Sequence, residues 1–267
     1  MTPDTPARRI RIVSLYDDVM NVYADRGNLI ALRARAAEHG VEVEVVPVSL
    51  GDPLPEDADL VLIGGGQDRE QRRIAADLAG RGPRLRAWAD ADVAMLAVCG
   101  GFQLFGRFYR DNAGEELPGA GVFDVTTVAP GPGWERCIGD VLAASLLADV
   151  GDVVGFENHA GRTYLGPAAT PFAIVEYGYG NNGDDGTEGA RYREAIGTYL
   201  HGSVLPKNPA LLDHLIMAAL RHREGPDARP LERRPSPFAD QAQSRAAQVA
   251  RRRSRHVEAA PGSAYAP

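Results

Sequence analysis

Four apolar or β-branched runs, RIRIVSLY (9–16), VEVEVVPV (41–48), ADLVLIGGG (58–66) and VAMLAVCG (93–100), alternate with stretches of helical period over the first hundred residues. No other feature constrains the chain as much. Parallel strands need crossover connections, and helical crossovers cover both sides of the sheet they build. The predicted helices are RGNLIALRARAAEHG (26–40), which ends on a glycine cap, residues 68–80, residues 83–90 and FQLFGRFY (102–109). The expectation is an α/β fold: a mostly parallel sheet with helices on both faces. The second half is richer in strand patterns, among them RCIGDVLA, VVGFEN and AIGTYLHG, and ends in a last helix over 209–223.

In open α/β sheets, ligands bind beyond the carboxyl ends of the strands. Three distinctive segments fall at such ends: LYDDVMNVYADRGN, GGGQD and CGGFQ. Residues 1–224 read as one domain. From Gly225 the composition shifts to Pro, Arg, Ala and Ser, so 225–267 is expected to be a disordered or weakly helical C-terminal tail with too few apolar residues to pack. The net charge is −7, yet the tail is basic, with eight Arg against four acidic residues, so the body is strongly acidic. That balance argues against nucleic acid as a partner. No apolar run is long enough for membrane insertion and no secretory pattern opens the chain, so a cytoplasmic address is expected.

Cys99 sits where an apolar strand meets a helix, with Gly100 and Gly101 behind it. A nucleophile elbow needs small neighbours at such a turn, and the helix N-terminus favours thiolate. The Gly100 backbone N–H would face a developing oxyanion, and Gly65 in GGGQD would supply a second donor. A small buried residue at a strand end is the alternative reading of Cys99. His201, after the strand GTYLHG, stands on a separate segment as a base for a cysteine must, and His159 in GFENHAGRT is its rival.

Taken together, YDDVMNVYADRGN (16–28), GGGQD (64–68), VCGGFQLFG (98–106), RCIGD (136–140), GFENHAGRT (155–163) and YLHGSVLPKNP (199–209) resemble the class I glutamine amidotransferases of the cobyric-acid-synthase-like branch. Within that branch the chain is most similar to the glutaminase subunits of bacterial lipid II isoglutaminyl synthases. The resemblance spans about residues 9–223 and implies a flavodoxin-like fold. It implies that Cys99 forms a γ-glutamyl thioester, that His201 is the general base, that Arg136 binds glutamine and that Gln103 lines the pocket. A guanidinium fork on the α-carboxylate would be the physical role of Arg136.

Many class I members carry a glutamate two residues after the histidine, where this chain has Ser203. Either a Cys–His dyad suffices or another carboxylate orients the imidazole, with Asp17, Asp18 and Glu157 as candidates. No metal-ligand spacing is present, and no metal is expected. The chain lacks GxxxxGK[ST], so no cofactor is expected in it and ATP is assigned to a partner. The resemblance implies that this partner is a Mur-ligase-like synthetase, paired as a heterodimer, which amidates D-glutamate of lipid II with ammonia from L-glutamine. A stand-alone cysteine hydrolase of the same architecture and a non-catalytic binding subunit are the rival readings.

Overall fold

The computed structural model describes residues 8–131, 133 and 135–257. Its first half follows the predicted alternation: β1 (Arg8–Leu15), α1 (Arg26–Glu38), β2 (Val41–Val48), β3 (Leu60–Ile63), α2 (Asp68–Asp90), β4 (Ala94–Val98) and α3 (Gly100–Phe105). Then come the short strands β5 (Phe108–Arg110), β6 (Glu116–Pro118) and β7 (Val125–Val128), and the longer hairpin β8 (Cys137–Ser145) and β9 (Asp152–His159). β10 (Arg162–Leu165), β11 (Ala173–Tyr177), β12 (Thr187–Glu188), β13 (Ala190–Tyr192), β14 (Ala195–Thr198), α4 (Pro209–Glu224) and α5 (Pro237–Arg253) complete the chain.

The main sheet has the order β13-β14-β4-β3-β1-β2. Every neighbouring pair is parallel except β13 with β14. LVLI of β3 and AMLAV of β4 are buried at every position, as strands covered on both faces must be. α1 and α4 pack on one another and against the sheet, while α2 and α3 form a second packed pair. The other strands of the second half form two four-stranded sheets, β10-β7-β5-β6 and β12-β11-β8-β9, while β13 and β14 extend the main sheet. None of the described helices is long and apolar enough to cross a membrane.

Three expectations are corrected. Residues 68–90 are one helix, not two, and it runs through Pro83. Proline in a helix interior costs about 3 kcal/mol, and the burial of Ile74, Leu78, Leu85 and Trp88 along the helix offsets it. The helix after Cys99 stops at Phe105, and Phe108–Arg110 is a strand instead. Residues 237–253 of the expected tail are helical: Ala247 and Ala250 pack against Leu142 of β8 and Val154 of β9. Alanines spaced three apart gave little apolar signal, yet they let the helix lie close to the hairpin. Residues 258–267 of the expected tail lie outside the described residues.

Candidate active site

Four adjacent parallel strands each deliver one part of the site from their carboxyl ends. β4 ends in Cys99, β3 in the Gly64–Gly66 turn, β1 in the loop that carries Asp25, and β14 leads to His201. β14 is late in sequence but lies beside β4, which brings Cys99 and His201 to one edge. The Cys99 N–H donates to Thr198 O at 2.8 Å, tying the elbow to that strand.

Cys99 has φ 49° and ψ −106°, a conformation that residues with a side chain rarely adopt. Strain of this kind persists where the surroundings over-determine it, as at a nucleophile elbow. Directly behind it, the first N–H groups of α3 have no intrahelical acceptor, and Gly100 carries the first of them. Cys137 differs in every respect: it lies within β8, fully buried, with its sulfur against the Arg162 guanidinium. Burial pushes its thiol up to about 12.

His201 is fully buried, its backbone pinned by paired hydrogen bonds with Phe156 of 2.7 and 3.3 Å. Its Nδ1 lies 3.4 Å from Asp25 Oδ1, while Nε2 is buried without a hydrogen-bond partner among the described residues. Burial alone would lower the imidazole pKa; the negative charge of an ionised Cys99 and the Asp25 carboxylate reverse this and raise it to about 10. The arrangement therefore sets a readily protonated imidazole beside Cys99, with the Asp25 carboxylate behind it.

Asp25 is the residue that sequence reasoning missed. Asp18 meets Ser49 at the surface and Glu157 accepts N–H groups from Tyr179 and Gly180; among the described residues the carboxylate at His201 is that of Asp25. Asp25, 5 % exposed, sits at the start of α1 and accepts the Gly65 N–H at 2.7 Å on its other oxygen. Asp25 lies three residues before Asn28 at the opening of α1; both are buried, and Asn28 Oδ1 accepts the N–H of Leu205.

That bond also corrects the assignment of Gly65 to the oxyanion. A backbone amide has one hydrogen, and Gly65 has committed it to Asp25. Gly65 matters for its missing side chain instead. A β-carbon there would fall 2.7 Å from His201 Cε1 and 3.4 Å from Cys99 Cβ, so only glycine lets the three segments converge. The next residue, Gly66, abuts Gly100, since a β-carbon on Gly100 would come within 2.8 Å of Gly66 N. Gly66 also lines the cavity that holds Cys99 and His201.

Cys99, His201, Gln103 and Arg136 line one cavity of about 540 Å³. Gln103 accepts an N–H from Gln71 at 2.9 Å and donates to Tyr199 Oη at 3.1 Å, so its amide shapes the wall. Arg136 is exposed at the mouth. His159 also reaches this cavity but is stacked on Tyr199 at 3.6 Å, with Nδ1 on Gly161 O at 2.8 Å.

Solved structures share this architecture. A glutamine amidotransferase aligns with TM-score 0.54 over 78% of this chain and 98% of that one, at 15% identity. The PurLQS structure from Thermotoga maritima aligns with TM-score 0.55 over the same shares, at 14% identity. In sequence, the chain is 38% identical over 220 residues to the lipid II isoglutaminyl synthase (glutamine-hydrolyzing) subunit GatD of Streptococcus pneumoniae, covering 82% of this chain and 84% of that one. It is 37% identical to the Staphylococcus aureus subunit of the same name, covering 80% and 86%. Cobyric acid synthase of Brucella abortus is 36% identical over 171 residues, which is 62% of this chain and 33% of that enzyme. The CobB/CobQ-like glutamine amidotransferase domain model matches residues 11–209, and the chain belongs to that family.

Proposed function

We propose that this chain is the glutaminase subunit of a lipid II isoglutaminyl synthase, hydrolysing L-glutamine and passing the ammonia to a separate subunit. The observation that carries the reading is the strained Cys99 in one cavity with His201, whose far edge meets Asp25. The likeness to the two GatD subunits over most of both chains supports the choice of complex.

In this mechanism the Cys99 thiolate attacks the carboxamide carbon of glutamine. The oxygen of the tetrahedral adduct takes the negative charge and is held by the N–H groups of Gly100 and Gly66. The His201 imidazolium gives its proton to the departing nitrogen, ammonia leaves, and a γ-glutamyl thioester remains on Cys99. Neutral His201 then takes a proton from water, the hydroxyl adds to the thioester carbon, and collapse releases glutamate and restores the thiolate–imidazolium pair. Asp25 fixes the imidazole tautomer throughout, placing the proton of Nδ1 toward itself and Nε2 toward the sulfur.

The partner in this reading is a Mur-ligase-like synthetase forming a heterodimer with the chain in the cytoplasm. It supplies the ATP chemistry that activates the D-glutamate carboxyl of lipid II. Cys99→Ser should abolish glutamine hydrolysis and amide formation by the co-purified complex, while Cys137→Ser keeps both. Full hydrolysis without any synthetase, and no synthetase recovered with the chain, would favour a stand-alone hydrolase.

A further inference from the structure

The mouth of the cavity carries a chain of contacts that this chemistry leaves unused. Arg136 donates Nε–H to Asn158 Oδ1 at 2.9 Å and Nη2–H to the Asn158 carbonyl at 3.1 Å. The Asn158 amide donates in turn to Tyr23 Oη at 2.5 Å. The Tyr23 ring stands edge-on to His201, centroids 5.0 Å apart, and edge-on to Phe156 at 5.9 Å.

Tyr23 is an unlikely residue to find so well placed. It is 46 % exposed, and its φ of 56° and ψ of 29° lie in the left-handed region that side chains disfavour. Burial does not hold it there. The turn is tied on either side by the Val22 N–H on the Gly65 carbonyl and the Arg26 N–H on Asn21 Oδ1, and it presents the Tyr23 hydroxyl to Asn158 and the ring edge to His201.

We propose that Tyr23 and Asn158 are positioning residues that hold the Arg136 guanidinium in place for the glutamine α-carboxylate. The inference rests on the reading of Arg136 as the carboxylate-binding group. A guanidinium offers two forked edges, and Asn158 occupies the Nε–Nη2 edge. The Nη1–Nη2 edge remains for a carboxylate, in an orientation that Asn158 has already set. The same amide steadies the ring beside the base. Tyr23 and Asp25 belong to one turn, so that turn meets the imidazole both through the ring and through the carboxylate.

The test uses the full chain and two reagents that alkylate cysteine. The diazoketone analogue of L-glutamine carries the α-carboxylate and α-ammonium; iodoacetamide carries neither. Labelling of Cys99 is followed by mass spectrometry over a range of reagent concentrations, so that reversible binding and the alkylation step are separated. Tyr23→Phe keeps the ring and removes the hydroxyl. It should weaken reversible binding of the diazoketone about 3- to 10-fold, the scale of one hydrogen bond, and leave its alkylation step unchanged. Asn158→Ala should weaken it further, and iodoacetamide labelling should be unaffected by Tyr23→Phe. In an Arg136→Ala background, Tyr23→Phe should have no added effect, because the group it positions is gone. Melting temperatures of all variants establish that each is folded. An unchanged diazoketone affinity in both Tyr23→Phe and Asn158→Ala overturns the proposal, as does an equal loss with both reagents or a full effect that survives in Arg136→Ala. If the wild type itself shows no preference for the diazoketone over iodoacetamide, the glutaminase reading fails first and takes this inference with it.

Discussion

Asp25 Oδ1 meets His201 Nδ1 at 3.4 Å across 176 positions of sequence, while Asp25 Oδ2 accepts the Gly65 N–H at 2.7 Å. One carboxylate thus joins three strand ends, and the glycine turn holds it at the angle the imidazole requires. Asp25→Asn preserves the shape but puts an amide where a charge was, and it permits the wrong imidazole tautomer. Glutamine turnover should fall on the order of 10²-fold or more, measured as kcat with the partner present. Asp17→Asn and Asp18→Asn should leave it near wild type. Equal losses in all three would mean that the loop, not this carboxylate, is what matters.

The same relationship sets how His201 titrates. An ordinary imidazole has a pKa of 6.5, and in the fold His201 is raised to about 10, burial being outweighed by Cys99 and Asp25. The folded state therefore holds this proton more tightly than the unfolded chain. Its contribution to stability is fully present below pH 6.5 and is lost as pH rises through about 10. Ring resonances of His201 followed by NMR should show the titration near that upper value. It should move down in Cys99→Ser, which removes the charged sulfur, and move down in Asp25→Asn. A midpoint near 6.5 in the wild type would exclude the ion pair.

Arg136 governs affinity and not chemistry in this scheme. A charge-assisted fork contributes roughly 1.5–3 kcal/mol, so Arg136→Ala should raise the glutamine KM by roughly one to two orders of magnitude with kcat little changed. Arg136→Lys should recover little, because an ammonium cannot reproduce the fork. Arg162 is not an equivalent substitute, being engaged by Cys137 and the Glu135 carbonyl. Retained affinity in Arg136→Ala, together with unaltered rejection of glutamine α-amide, would place the carboxylate elsewhere.

Truncation after Gly225 should now destabilise the protein. Removing α5 uncovers Leu142 and Val154, both fully buried, and breaks the Gln243 bond to the Asp152 carbonyl. An apolar area of this size is worth on the order of 2–3 kcal/mol. For a chain of this length that is about 5–10 °C in melting temperature, read by calorimetry. A truncated chain that melts with the full one would show that the helix merely rests on the hairpin.

Much of this was legible in order along the chain. Strand periodicity and glycine turns sufficed for the alternating α/β layout, because central strands buried on both faces, such as β3 and β4, must be apolar in themselves, while the edge strand β2 alternates. VCGGFQ marked Cys99 for a local reason: the sharp turn and its small neighbours are consecutive residues. YLHG marked His201 in the same way. Continuity of the helix through Pro83 was not local, since packing on its buried face overrides a breaker, and α5 was hidden because its buried residues are alanines. The choice of Asp25 over Asp17 and Asp18 was not local either. All three share one loop, and the decision falls where that loop folds back, with the Val22 N–H on the Gly65 carbonyl at 3.0 Å, to aim a single carboxylate at a histidine on another strand. Gly65 lost its place at the oxyanion because its N–H is donated to the other oxygen of that carboxylate. Sequence alone determined which residue types stand at which strand ends; only the tertiary structure decided which of their few donors and acceptors reach one another, because that depends on the lateral order and stagger of β14, β4, β3 and β1, which no local stretch of the chain encodes.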